Sequence, residues 1–150
     1  MAIERDNPYA AFNFLVDLGT GDTESIKAGF QEVTGLNNEI TLVDYRNGNE
    51  RANHVRKVST LYKVGDITLK RGMMGATDLW EWVTTARNGS QQGRNITIQL
   101  RDETRENTVM TWKLTNARPM RYTAPAFNAK SASDVAIEEL VLSCEDLNIE

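Results

Sequence analysis

Two side chains with nucleophile or base chemistry occur once each in the 150 residues, His54 and Cys144. A Ser-His or Cys-His pair would need His54 as its base. His54 stands among Arg46, Arg51, Arg56 and Lys57, and that positive charge disfavours its protonated form. It reads as a surface contact residue. Cys144 falls on the apolar side of the last hydrophobic run and reads as a small buried hydrophobe. One cysteine forms no internal disulfide, and one histidine leaves a Cys/His metal cluster short of ligands. Glu138-Glu139 is the remaining carboxylate pair, and neighbours in a regular strand point to opposite sides. No catalytic residue, cofactor site or metal site is therefore expected.

Gly72-Met73-Met74-Gly75 follows Lys70-Arg71 and has the form of a GxxG backbone clamp for nucleic acid. The helices that would flank such a clamp are missing, and a strand-to-helix turn accounts for the glycines. No Walker A or dinucleotide fingerprint occurs. Asn88-Gly89-Ser90 and Asn95-Ile96-Thr97 fit the glycosylation triplet, but without an export signal they are chance matches. The first ten residues hold Glu4, Arg5 and Asp6 and no apolar stretch, so a Sec-type signal is not expected. No run is apolar enough for a membrane-spanning helix or anchor. With 40% hydrophobic and 25% charged residues, the composition is that of a soluble globular domain made in a reducing compartment.

The elements that would position these side chains are mostly strands. Ala11–Leu18 alternates, with Phe12, Phe14, Val16 and Leu18 on one face. Gly19-Thr20-Gly21-Asp22 is turn chemistry, and Ser25–Thr34 resumes as a strand, so the two runs read as a hairpin. Val33 breaks the parity of Ile26, Ala28 and Phe30, which marks a bulge or the strand's end. Ile40–Tyr45 is a short strand, and Arg46–Ser59 is a long polar loop of a length that is usually functional or disordered. Leu61–Arg71 is a strand with Ile67 and Leu69 inward.

One helix is expected, Asp78–Arg87, capped by Thr77 and ended by Asn88-Gly89. Its stripe is Leu79, Trp82, Val83 and Ala86. Trp80 lies off the stripe, at an edge or against a partner. Asn95–Arg101 and Val109–Ala117 are further strands, the first with Ile96, Ile98 and Leu100 together, the second with Met110, Trp112 and Leu114 together. Val135–Leu147 is a long one, with a bulge at Glu138-Glu139 where its apolar parity switches. Seven or eight consecutive strands without βαβ alternation predict a mainly β fold, an antiparallel sandwich or barrel with one flanking helix. The length fits a single domain over 1–150, with residues 1–9 as a mobile arm.

The net charge of −4 is unevenly spread. Residues 1–35 carry six acids and two bases, residues 36–133 nine acids and fifteen bases, and residues 134–150 six acids and no base. A net acidic chain without a tight basic cluster argues against direct DNA binding. Acidic ends and a basic middle instead permit contact between copies of the chain.

Several segments taken in order are more specific than any one of them. Tyr45-Arg46-Asn47-Gly48 opens the basic loop and Val55-Arg56-Lys57-Val58 closes it. Asp66-Ile67-Thr68-Leu69-Lys70-Arg71-Gly72-Met73 follows, then the helix Leu79-Trp80-Glu81-Trp82-Val83. Trp112-Lys113-Leu114-Thr115-Asn116-Ala117-Arg118-Pro119 and Val135-Ala136-Ile137-Glu138-Glu139-Leu140 complete the series. From about Phe12 to the C-terminus the chain resembles the inner tail-tube protein family of contractile phages and contractile injection systems. That family is related in fold to the haemolysin-coregulated protein of type VI secretion. Ser59-Thr60 departs from the Pro-Gly common there, as does the short acidic tail Cys144–Glu150.

The resemblance implies a structural role and no enzyme activity: hexameric rings of this chain stacked into a tube around a lumen that conducts DNA or a protein effector. The implied partners are other copies, a surrounding sheath, and baseplate and tube-terminating proteins. The implied location is the cytoplasm at assembly and then a phage tail or injection particle. Tyr45, Arg46, Arg51, His54, Arg56 and Lys57 are the expected subunit contacts, with Glu145 and Asp146 as acidic counterparts. A baseplate tube-initiator ring, a type VI-like secreted ring protein and a monomeric ligand-binding barrel are the alternatives.

Overall fold

The computed structural model describes residues 2–21, 29–130 and 133–150. Among them run nine strands and one helix: β1 (Phe14–Asp17), β2 (Phe30–Thr34), β3 (Asn38–Tyr45), β4 (Arg56–Val64), β5 (Ile67–Gly72), α1 (Asp78–Arg87), β6 (Arg94–Arg101), β7 (Thr108–Thr123), β8 (Ile137–Ser143) and β9 (Asp146–Ile149). The chain is mainly β, with every strand pair antiparallel. One sheet has the order β1-β6-β7-β8-β5-β2 with β9 on β7, and β3-β4 forms a separate pair. Among the described residues the larger sheet is not closed, and β1 and β2 are its two ends.

This sheet turns a corner within β7. The first part of β7 pairs with β6 and β9, and the part from Arg118 onward pairs with β8. Asn116 stands at the bend with φ +54°, a left-handed conformation that asparagine tolerates better than most residues. Its side chain donates to Glu145 Oε1 at 2.6 Å and its backbone N–H donates to Asn95 Oδ1 at 3.1 Å. The Asn-Ala-x-Pro segment is thus the corner, and the two arms of the sheet face each other across one core. Val16, Ile96, Ile98 and Leu114 come from one arm, Phe30, Ile67, Leu69, Leu140 and Leu142 from the other, and Leu79 and Trp82 from α1.

The helix has the predicted bounds and stripe. Gly89 follows it at φ +104°, a region open to glycine at little cost. Thr77, however, makes no side-chain cap; its hydroxyl donates to Glu81 Oε1 at 3.0 Å. Asp78 is drawn instead to Arg71.

Several expected strands are redrawn. Among the described residues β1 and β2 do not pair with each other as the expected hairpin would: β1 pairs with β6 and β2 with β5. Residues 22–28 of the expected second strand lie outside the described residues. Phe30 and Val33 both reach the core because the register shifts between Phe30 and Glu32. Phe12 is exposed and Asn13 buried, because the strand begins only at Phe14. The Asn13 side chain is held by Asp102 and Arg105 across the β6–β7 turn. Leu61–Arg71 is two strands, broken where the Gly65 N–H donates to the Asn37 carbonyl at 3.1 Å. β7 runs six residues past Ala117, through Pro119. Its Val109 and Thr111 are buried as well as Leu114, since the N-terminal arm and the C-terminal residue hydrogen-bond to those two positions.

β8 and β9 are separated at Cys144–Glu145, and no bulge occurs at Glu138-Glu139. Glu138 shares the buried face of Leu140 and Leu142. The apparent switch of parity comes from a buried carboxylate standing where an apolar residue was expected.

Along the arm, Arg5 stacks on Tyr9 with 3.8 Å to the ring centroid and pairs with Glu103 at 2.6 Å. That hydrogen bond holds the Glu103 carboxyl down at about 2.

Candidate subunit interface

The long polar loop is shorter than its sequence suggests and stands at the end of a hairpin. Arg56, Lys57, Val58 and Ser59 belong to β4, where they pair with Tyr45, Asp44, Val43 and Leu42. Alternation concealed this because the hairpin has no inward side: every residue of β3 and β4 is exposed except Val64 at its root. Residues directly opposite share a face. One face thus carries Ile40 with Tyr62 and Leu42 with Ser59, the other Val43 with Val58 and Tyr45 with Arg56. The register shifts between Ile40 and Leu42, and Leu61 at that shift is 84% exposed. Two-stranded pairs are marginal alone, and scattered exposed apolar residues are ordinary, but a hairpin apolar on both faces marks an interaction surface.

Its root is fixed. Gly35 has φ +88°, and a β-carbon there would lie 2.0 Å from the Asp66 carbonyl oxygen, so the chain leaves β2 at a point only glycine fits. Tyr62 donates to Asp146 Oδ1 at 3.2 Å, joining β4 to β9.

The expected contact residues are spread along this hairpin, and most are already engaged. Arg46 donates to the carbonyls of Glu50 and Ala52 at 3.1 Å. Tyr45 donates to Asn47, and Lys57 pairs with Asp44. Arg56 pairs with Glu50 at 2.9 Å. Arg51 and His54 are exposed. Glu145 and Asp146 are occupied within the chain by Asn116 and Tyr62. The structure does not bring these two acids to the basic tip; they stand at the hairpin's root.

A second polar cluster escaped the sequence reading. Arg71 and Glu138, 1% and 2% exposed, meet at 2.7 Å through Nε and at 2.5 Å through Nη2. Arg71 also reaches Asp78 at 2.8 Å, and Tyr122 donates to Glu138 Oε2 at 2.6 Å. Burial opposes the charge on Arg71, but its two carboxylate partners outweigh that and raise its pKa. Burial likewise opposes ionisation of Asp78, and the hydrogen bond from Arg71 outweighs it, so its pKa is lowered. Tyr122 is pushed up to about 12, first by burial and then by its bond to Glu138. Trp80 packs edge-on to Tyr122 at 5.6 Å and remains 46% exposed. The signal for this cluster lay in β5, where Ile67, Leu69 and Arg71 share one parity. The cluster ties α1 to β5, β7 and β8, which suits a structural clasp.

Among the described residues no three His, Cys, Asp or Glu side chains converge as metal ligands would, and no helix is long and apolar enough to cross a membrane. Cys144 is buried, and burial raises its pKa. A cavity of about 600 Å³ beside α1 has a mixed lining that includes Leu18, Trp82, Asp78, Glu81 and Arg94.

Solved structures share this architecture. In the sheath–tube complex of an extracellular contractile injection system, PVC, in its extended state, one chain is 27% identical. It superposes with a TM-score of 0.83 over 95% of this chain and 91% of its own. A chain in the baseplate of the anti-feeding prophage is 27% identical, with a TM-score of 0.81 over 97% of each chain. Hcp1 from Flavobacterium johnsoniae, 18% identical over 91% of this chain and 93% of its own, has a TM-score of 0.55 and shares the fold. No curated protein matches in sequence. Residues 10–148 match the family of the T4-like virus tail tube protein gp19, and the chain belongs to that family, as a structural tail tube protein of contractile injection systems.

Proposed function

We propose that the chain forms hexameric rings that stack into the inner tube of a contractile tail or injection particle, and that the β3–β4 hairpin is the main joining element. The observation that carries this is the exposure of both hairpin faces on a member of the tail tube family. A body with a complete core and an appendage with none is what a subunit needs if its neighbours supply the missing burial.

Tyr45, Arg51 and His54 contact another copy from the tip. Arg46, Arg56 and Lys57 shape the tip through the bonds they make within it. A sheath surrounds the tube, and terminator and baseplate proteins close its ends, by analogy with the complexes in which similar chains are found. The lumen conducts DNA or a protein effector. The subunit assembles in the cytoplasm and leaves it as part of the particle.

Electron microscopy of the purified chain tests this. Hollow tubes or six-membered rings are expected, and a chain that stays monomeric across concentration and salt overturns the reading. The likeness to a baseplate chain supports a second reading, a single initiator ring. Rings that never stack, even at high concentration, would favour it.

A further inference from the structure

The hairpin accounts for one kind of contact between copies. Stacked rings need a second kind, since one contact closes a ring and another joins it to the next. Two further surfaces of opposite charge stand at the two ends of β7, which starts at Thr108 and finishes at Thr123. At the finishing end β7 lies beside α1. Trp80 packs on Tyr122, and the Arg87 guanidinium lies 5.5 Å from the centroid of the Trp80 ring. Arg118 donates to Gln91 Oε1 at 3.0 Å, just beyond the helix. Trp80, Arg87 and Arg118 are exposed, and among the described residues neither arginine has a carboxylate partner.

At the starting end, the turn between β6 and β7 carries Glu106. The Arg5–Glu103 pair holds the N-terminal arm against this turn, so Glu4 and Asp6, on either side of Arg5, come to the same end. The two bases there are engaged, Arg5 by Glu103 and Arg105 by Asn13. Glu4, Asp6 and Glu106 are exposed, and among the described residues none of them has an ion pair.

We infer that the surface made by Trp80, Arg87 and Arg118 receives the acidic arm and turn of a second copy of this chain, through Glu4, Asp6 and Glu106; this rests on the tube reading above. An exposed tryptophan flanked by arginines has the composition that dominates interface energies. Its unmatched charge is opposite in sign to that of the other end, so each end attracts the unlike end of the next copy and repels its own kind. Two different surfaces make a head-to-tail contact, which passes from copy to copy and closes where the rotation allows. Neither surface includes the hairpin.

Charge exchange decides the matter. One variant carries Arg87→Glu with Arg118→Glu, the other Asp6→Lys with Glu106→Lys. All four positions are exposed, so melting of the unassembled subunit should match that of the unsubstituted chain. Each variant alone sets like charges against each other and should give no tubes or rings in micrographs at low salt. Mixed in equal amounts, reversed ends meet reversed ends and native ends meet native ends. An alternating ring of six closes, so assemblies should return with both variants in them. Normal assemblies from either variant alone, or none from a mixture of two folded variants, would overturn the contact while leaving the tube reading in place. If a reversal unfolds the subunit, Arg87→Gln with Arg118→Gln carries the test. Assembly of the unsubstituted chain should fall as salt is raised, and the fall should be shallower in this variant; an equal fall would overturn the contact. Failure of the unsubstituted chain to assemble at all would remove the tube reading and the contact with it.

Discussion

The body and the hairpin solve the same problem in opposite ways. In the body, even a buried arginine has its partners: Arg71 sits between Glu138 and Asp78 within one chain. In the hairpin, the Lys57–Asp44 pair is exposed and the Arg56–Glu50 pair partly so, and the apolar residues have cross-strand neighbours but no core of their own chain against them. On the proposed reading, one region specifies the fold and the other the assembly. Substitutions in the buried part of the body should therefore report on unfolding of the subunit, and those in the hairpin on polymerisation alone.

The sharpest break in this comparison is Glu138→Ala. It leaves Arg71 buried without its main partner, and the loss should be about 3–5 kcal/mol, read from denaturant unfolding of the unassembled subunit. If stability is unchanged, the clasp does not hold the body together. Acid should act in the same region. Asp78 and Glu103 have lowered pKa values, that of Glu103 at about 2, so the stability they contribute is full above the ordinary carboxylate range and is lost as pH falls through the lowered values. Melting temperatures at a series of pH values should decline over that window and stay level above it. Tyr122→Phe removes one hydrogen bond to a charged group and should cost about 1.5–3 kcal/mol by the same unfolding measurement.

Ile40→Ser with Leu61→Ser should move unfolding by no more than about 0.5 kcal/mol, since both residues are exposed. Tubes should nevertheless disappear from micrographs. Tubes of normal length from that variant would contradict the division of labour. Reversing Arg51, Arg56 and Lys57 together would confuse the two effects, because Arg56 and Lys57 hold the hairpin to itself through Glu50 and Asp44. Arg51→Glu alone is the cleaner probe: one exposed charge is worth about 0–1 kcal/mol per contact, repeated in every subunit. Smallest of all, His54→Ala should leave melting and tube formation close to normal, measured side by side with the unsubstituted chain.

Much of the body was legible because its strands have one wet and one dry side. Val16 and Leu18, Ile96 and Ile98, Ile67 and Leu69 announced themselves by alternation, and α1 by its stripe. The hairpin was hidden because alternation records burial within one chain, and here neither face is buried in it. Glu138 misled in the opposite sense: a carboxylate at an inward position read as a change of face, until Arg71 on the facing strand balanced it. Which strands pair across the sheet, as β1 with β6 rather than with β2, depends on contacts distant in sequence, and local patterns do not encode those. The candidate contact residues were found by their loop, though the structure moves four positions of that loop into β4.

The placement of Cys144 carries a consequence for a particle that changes surroundings. It is the chain's one thiol, it lies against the core, and burial keeps it protonated. Oxidants and disulfide exchange act on thiolates that solvent can reach. On the tube reading proposed above, the subunit offers its neighbours no accessible thiol for crosslinking, and the joints between copies stay non-covalent.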